Sequence, residues 1–206
     1  MKPILVLYAT REGQTRRIAE YVGAALCRNG FDADVLDAAT LPLKFTFARY
    51  EAAILAASVH FGKHEPEIVA FVQSHRSELE WMRAVFLSVS ASEAGAEDRA
   101  ASPAARERST AKVKRMIEAF IQETGWRPAR VFPVAGALMY RQYGPFLRFM
   151  IRLIARLSGT SIDTSRNTEY TDWEALDQFL KEWTAEFVNA GTVRSAPGDK
   201  LTLHVR

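Results

Sequence analysis

The 206-residue chain is 48% hydrophobic and 25% charged, a mixture that buries a sizeable core in one globular domain and excludes disorder throughout. Its single cysteine, Cys27, excludes an intramolecular disulfide framework and a cysteine zinc cluster, so a reducing compartment, the cytoplasm, is expected. The net charge of +3 is weak evidence for an acidic partner unless it is concentrated, and no nucleic-acid partner is expected.

In chain order, ILVLYA (Ile4–Ala9) is an apolar run too short for a secretory segment and predicts a buried strand. The helical pattern that follows places Ile18, Val22, Ala25 and Leu26 on one face. DADVLDA (Asp32–Ala38) predicts a second strand, and the unbroken apolar AAILAAS (Ala52–Ser58) a third, covered on both sides. A helix is expected over Glu67–His75 after Pro66, a fourth strand over Ala84–Ser90, and a long helix over Ser102–Thr124 with Pro103 in its first turn. Ala129–Leu138 predicts a fifth strand, placed at a sheet edge by Pro133, because proline cannot donate to a ladder. A last helix over Asp172–Val188 is capped by Thr171 or Asp172.

Strands and helices alternating at these lengths predict an α/β fold, a doubly wound five-stranded parallel sheet with helices on both faces. Ligands then bind beyond the carboxyl ends of the strands. One domain is expected over residues 1–189, with a helical insertion at about 137–170 and a detachable tail over 190–206 whose LTLHV alternation could add an edge strand. No apolar span reaches the roughly 18 residues of a membrane helix.

The turn TREGQT joins the first strand to the first helix, so its amides and the helix N-terminus converge on one place with partial positive charge. Gly13 permits a left-handed backbone angle, and Thr10 and Thr15 offer hydroxyl donors to phosphate oxygens. The alternative is an ordinary strand-to-helix loop with Thr15 as N-cap. Neither G-x-G-x-x-G nor G-x-x-x-x-G-K-[ST] occurs, which argues against a dinucleotide or a nucleoside triphosphate.

This turn and the strand order resemble the flavodoxin fold, whose phosphate loop T-x-T-G-x-T holds flavin mononucleotide (FMN). More narrowly, YATREGQTRRIAEY, AASVHFGKHEPEIVAFV, WRPARVFPVAGALMYRQYGPFLRFMIRLIARLSG and EYTDW resemble the menaquinone-dependent protoporphyrinogen oxidases. The resemblance covers nearly all of residues 1–189 and is most specific over Trp126–Gly159. It implies that Thr10, Arg11, Glu12, Gly13, Gln14 and Thr15 form the phosphate cradle; Glu12 stands where the general flavodoxin pattern prefers a hydroxyl. It also implies that Ser58, Val59, His60, Phe61 and Gly62, and Ser88, Val89, Ser90, Ala91 and Ser92, flank the flavin ring, with His60 or Phe61 against a ring face.

His60 and His64 have the i, i+4 spacing of a helical metal pair, but Gly62 lies between them and Pro66 just beyond, so no metal site is expected. His75 is expected on a helix surface, and no G-x-S-x-G elbow supports acyl transfer. The charged run from Glu97 to Arg108 is expected to be a solvated loop and helix start.

No acidic residue occurs between Glu123 and Asp163, whereas Arg127, Arg130, Arg141, Arg148, Arg152 and Arg156 do, so positive charge concentrates there. Within Pro145–Leu157, Arg148, Arg152 and Arg156 recur every four residues, one cationic stripe on an apolar helix. At 1.5 Å per residue that helix is about 20 Å long, short of the roughly 30 Å hydrocarbon core. It is either a core helix exposing its arginine edge or an interfacial helix whose arginines meet anionic groups. The resemblance favours the second, with Phe146, Phe149, Met150, Arg152, Ile154 and Arg156 as membrane or quinone contacts on the inner face of the cell membrane.

The resemblance implies FMN-dependent oxidation of protoporphyrinogen IX to protoporphyrin IX in haem synthesis, with electrons passing to menaquinone or another quinone. The flavin carries the chemistry at N5. Tyr140, Arg141, Tyr143 and Arg148 are the substrate candidates, able to pair with propionates and contact the ring. The competing expectations are a flavodoxin-type electron carrier and an NAD(P)H quinone reductase.

Overall fold

The computed structural model describes residues 2–138 and 168–194. Five parallel strands, β1 (Ile4–Ala9), β2 (Ala33–Asp37), β3 (Ala52–His60), β5 (Arg83–Ser90) and β6 (Arg130–Ala135), form a sheet in the order β2-β1-β3-β5-β6. A short β4 (Lys63–His64) folds back antiparallel on the end of β3.

Period-2 alternation divides the central strands between two cores. Ile4, Val6, Tyr8, Ile54, Ala56, Val85 and Leu87 pack on one face with Ile18 and Val22 of α1 (Gln14–Arg28) and with Leu176, Leu180 and Trp183 of the C-terminal helix (Trp173–Arg194). Leu5, Leu7, Leu55 and Phe86 pack on the other, against Ile68 and Val72 of α2 (Pro66–Ser74) and Phe120 of α5 (Pro103–Thr124). The Phe120 ring stacks on Phe86 with centroids 4.2 Å apart and planes 7° apart, an offset burial that excludes water from that face. The β1 to β2 connection runs over the first face and the β3 to β5 connection over the second. The winding therefore reverses between β1 and β3 and opens a crevice beyond their carboxyl ends.

The local signals explain the boundaries. Asp172 Oδ1 accepts from the backbone N–H groups of Glu174 and Ala175 and so caps the C-terminal helix. Ser102 Oγ accepts from Ala105 N ahead of Pro103 at the start of α5. Pro133 lies on β6, the edge strand, where its missing N–H costs no ladder bond.

Several boundaries depart from the sequence pattern. The helix expected over Glu67–His75 is α2, and a further helix, α3 (Arg76–Trp81), follows it across His75. His75 is not a surface residue: its ring is half-buried, stacks on Phe71 at 4.5 Å and meets Phe45 and Phe47 edge-on. The fifth strand breaks at Gly136 into β6 and β7 (Ala137–Leu138), and β7 pairs antiparallel with β8 (Thr168–Glu169). The last helix runs to Arg194, past its expected end at Val188. An extra helix α4 (Ala91–Glu97) follows β5, and its terminal Glu97 is exposed, as the charged run was expected to be. Partial desolvation of the carboxyl, reinforced by Glu93 and Asp172, raises its pKa to about 7.

His64 is a polar side chain inside the second core, 6% exposed, with its ring against Phe86 and Phe120 and Nε2 2.9 Å from Ser88 Oγ. Burial lowers its pKa from 6.5 to about 4. Between those values the unfolded chain binds a proton that the folded chain refuses. Stability contributed by the neutral ring is therefore complete above pH 6.5 and falls as the pH drops toward 4. Denaturant unfolding from pH 7 to pH 4 is expected to show this loss, and His64→Leu to flatten that part of the profile.

Candidate functional site

At the carboxyl end of β1 the chain turns into α1 through Thr10–Gly13. Gly13 holds φ 87°, the left-handed region, and its N–H donates to Thr10 Oγ1 at 3.0 Å. The turn thus closes on its own threonine and presents the first amides of α1 outward. A Cβ on Gly13 would meet no atom within 4 Å, so the glycine is required by the backbone angle and the open space beyond it is left for a ligand. Thr15, in the first turn of α1, is 1% exposed and its hydroxyl has no hydrogen-bond partner. An orphaned buried donor beside a helix N-terminus suits an oxyanion, which supplies the missing acceptor and is favoured by the helix dipole.

Above this turn lies a cavity of about 110 Å³ lined by residues from four strand ends: Thr10, Glu12, Gln14 and Thr15; Ser58, Val59 and His60; Val89, Ser90 and Ala91; and Gly136. The remaining residues suggested by the sequence are placed elsewhere. Ser88 is fully buried and faces His64. Ser92 sits in the first turn of α4, which Ser90 caps by accepting from Glu93 N. Arg11 is drawn aside to Glu65, Nε to Oε2 at 2.8 Å. Phe61 and Gly62 form a two-residue hairpin turn between β3 and β4, with φ 48° and 81°; two positive angles match the twist of the flanking strands. The Phe61 side chain is 94% exposed at its tip. Tyr140, Arg141, Tyr143, Phe146, Arg148, Phe149, Met150, Arg152, Ile154 and Arg156 lie outside the described residues.

Three residues that sequence reasoning did not assign to the site hold it together. Glu65 is 2% exposed and accepts from Arg11 Nε and from Ser58 Oγ at 3.0 Å. Thr171 accepts from Gln14 Nε2 at 2.9 Å and donates to the Ala135 carbonyl at 2.8 Å, joining α1 to the end of β6. Gly136 lies against Val89, whose Cγ1 a Cβ there would meet at 3.4 Å. The available signals were the E-P pair opening α2 and the Thr in EYTDW, each of which also reads as an ordinary helix start.

His60 Nε2 is buried, 3.1 Å from Glu12 Oε2 and 3.6 Å from Glu65 Oε1, off the axis of an ideal N–H bond to either. The Glu12 carboxylate raises its pKa above 6.5 against the opposing cost of burial. A second cavity, about 450 Å³, lies on the hairpin side and is lined by Arg11, Phe61, Lys63, His64 and, again, His60. Among the described residues no group of His, Cys, Asp and Glu side chains could hold a metal, and no helix is long and apolar enough to cross a membrane.

Residues 5–165 match the model of the flavodoxin domain family. The chain is 34% identical over 178 residues to the protoporphyrinogen IX dehydrogenase [quinone] of Escherichia coli, covering 86% of this chain and 92% of the relative. It is 29% identical to the Leishmania major protein of the same name, over 88% of this chain and 74% of that one. Among solved structures, oxidised flavodoxin 1 of Bacillus cereus superposes with a TM-score of 0.50 at 17% identity, covering 89% of this chain and 97% of the flavodoxin, a likeness of fold.

The orphaned hydroxyl yields a test. Thr15→Val removes a buried donor that nothing in the protein satisfies, so the ligand-free protein should be as stable as wild type or more so, by up to about 1–3 kcal/mol. Affinity for a phosphate monoester ligand should fall about tenfold or more. Thermal unfolding and ligand titration check the two halves.

Proposed function

The chain belongs to the flavodoxin-domain family and, within it, to the protoporphyrinogen IX dehydrogenases [quinone], and on that premise we propose that it oxidises protoporphyrinogen IX to protoporphyrin IX in haem synthesis with bound FMN, passing the electrons to menaquinone or another quinone. The observation that carries the cofactor assignment is the unpartnered Thr15 hydroxyl beside the left-handed Gly13 at the N-terminus of α1. That donor set suits one phosphate and not a pyrophosphate, since no G-x-G-x-x-G turn is present.

Thr10, Gly13, Gln14 and Thr15 would hold the phosphate through hydroxyls and first-turn amides. Val59, His60, Val89, Ser90, Ala91 and Gly136 would border the ring at the strand ends. FMN when bound supplies a reversible two-electron centre between porphyrinogen and quinone. The protein's part is geometric and electrostatic. The Glu65 ties fix the β3 end against the phosphate turn, the Gln14–Thr171 bond fixes α1 against β6, and the buried walls restrict water at the ring.

Anaerobic incubation of the purified protein with protoporphyrinogen and a quinone is expected to give fluorescent porphyrin, and denatured protein to release FMN and no FAD. Gly13→Val should weaken FMN binding, because a branched residue resists φ 87° and projects into the ligand's space. Normal FMN binding without porphyrin formation above the non-enzymatic background would favour an electron carrier; undiminished FMN affinity in the folded variant would refute the cradle.

Peripheral attachment to the cytoplasmic membrane face belongs to the same reading and rests on the arginine stripe of Pro145–Leu157. Each arginine near an anionic surface contributes on the order of 1 kcal/mol, which salt screens, while apolar burial persists. Replacing Arg148, Arg152 and Arg156 by Glu should reduce flotation with anionic vesicles and quinone-coupled turnover while FMN content is retained. Equal flotation of variant and wild type would count against the membrane role.

A further inference from the structure

His60 is the residue shared by the two cavities, the smaller one at the strand ends and the larger one beside the hairpin. Its Nε2 is flanked by Glu12 Oε2 at 3.1 Å and by the buried Glu65 Oε1 at 3.6 Å. Ionised carboxylates only accept, so the ring is driven to carry its proton on Nε2, and in the neutral imidazole Nδ1 is then the lone pair. The pair has an outlet, since the side chains of His60 and Glu12 are 25% and 22% exposed. Oxidation of a reduced tetrapyrrole needs such a group. Going from porphyrinogen to porphyrin takes four hydrogens from the bridging carbons and two from pyrrole nitrogens, as three hydrides and three protons, and no residue has so far been assigned to the protons.

Resting on the functional reading above, we propose that His60 is the general base of this oxidation, with Nδ1 taking the proton that each two-electron step releases while Glu12 and Glu65, beside Nε2, stabilise the imidazolium. In each of the three steps a C–H bond of the substrate would break with its electron pair leaving as hydride to the flavin that the site would hold. In two of them an N–H bond, and in the third a second bridging C–H bond, breaks with its pair entering the ring conjugation, and the proton passes to His60 and then to water beside Glu12. A quinone would take up the electrons, two per step, so electrons and protons balance over the cycle. Glu65 is anchored by Arg11 and Ser58 and so acts as a positioning residue, keeping a second negative oxygen near the imidazole.

The charged groups around His60 agree in sign with this role. Glu12 from the β1–α1 turn and Glu65 from the start of α2 favour the imidazolium; burial and Arg11 oppose it, and Lys63 is its cross-strand partner on β4. The carboxylates prevail, and the pKa stands above 6.5. Protonation removes the base, so function is lost as the pH falls through that pKa.

The test reads the base in two independent ways. With imidazole-labelled histidine, nitrogen NMR of the FMN-loaded protein should show the Nε2–H tautomer for neutral His60 and a pKa above 6.5. Anaerobic mixing with protoporphyrinogen, without quinone, should give a flavin-bleaching rate that rises with pH through that same pKa. Glu12→Gln should lower the NMR pKa and move the kinetic acid limb with it. His60→Ala should slow bleaching by about 10²–10⁴-fold and be partly rescued by added imidazole. An acid limb that stays in place in Glu12→Gln while the NMR pKa falls, an Nδ1–H tautomer in wild type, or an undiminished rate in His60→Ala would overturn the assignment. Absence of any porphyrinogen oxidation by wild type would overturn the functional reading, and the base with it.

Discussion

The site depends on one buried carboxylate. Glu65 is 2% exposed, and an uncompensated charge at that depth would cost several kcal/mol. Its carboxylate is compensated by two segments, Arg11 of the phosphate turn and Ser58 at the end of β3, and its backbone N–H donates to the Ser58 carbonyl at 3.1 Å. Satisfying that one charge therefore fixes the turn after β1, the hairpin after β3 and the start of α2 relative to one another. His60, on the same strand end, is placed beside Glu12 as a consequence.

A second tie closes the site from the opposite side. Gln14 is 4% exposed in the first turn of α1 and reaches Thr171, 157 positions away in the chain. Thr171 passes the bond on to the Ala135 carbonyl at the end of β6. The N-terminus of α1 is therefore held against both a central strand end and the edge strand. This explains how amides that must remain open for an anion stay in one geometry, since preorganised donors need no ordering when the ligand arrives. Among the described side chains of this helix start, the buried Thr15 hydroxyl is left without a partner.

The two cores carry the same logic at larger scale. Alternation along β1, β3 and β5 fills both faces with aliphatic and aromatic side chains, so the sheet is rigid where the loops meet it. The carboxyl edge carries the left-handed Gly13, the positive angles at Phe61 and Gly62, and the break at Gly136 between β6 and β7, whereas the left-handed Gly30 and Gly125 follow helix ends ahead of β2 and β6. The rigid sheet supports the irregular backbone at the carboxyl edge.

The sequence by itself determined what depends on local periodicity and chain chemistry. Five apolar strands, their parallel winding, Pro133 at an edge, Ser and Asp caps, and a hydroxyl-rich turn ahead of α1 all follow from side-chain alternation, propensity and capping between near neighbours. Only the tertiary structure decided which polar groups are buried and against whom. Glu65 reads in sequence as a helix-start acid, Ser88 as one serine of a loop, His75 as a surface residue and Thr171 as a candidate cap. Folding makes them a buried charge, the partner of a core histidine, part of an aromatic cluster and a bridge between α1 and β6. The physical reason is separation along the chain. Arg11 and Glu65 lie 54 positions apart, and Gln14 and Thr171 157, so the desolvation that gives each pair its role exists only once the sheet has brought them together.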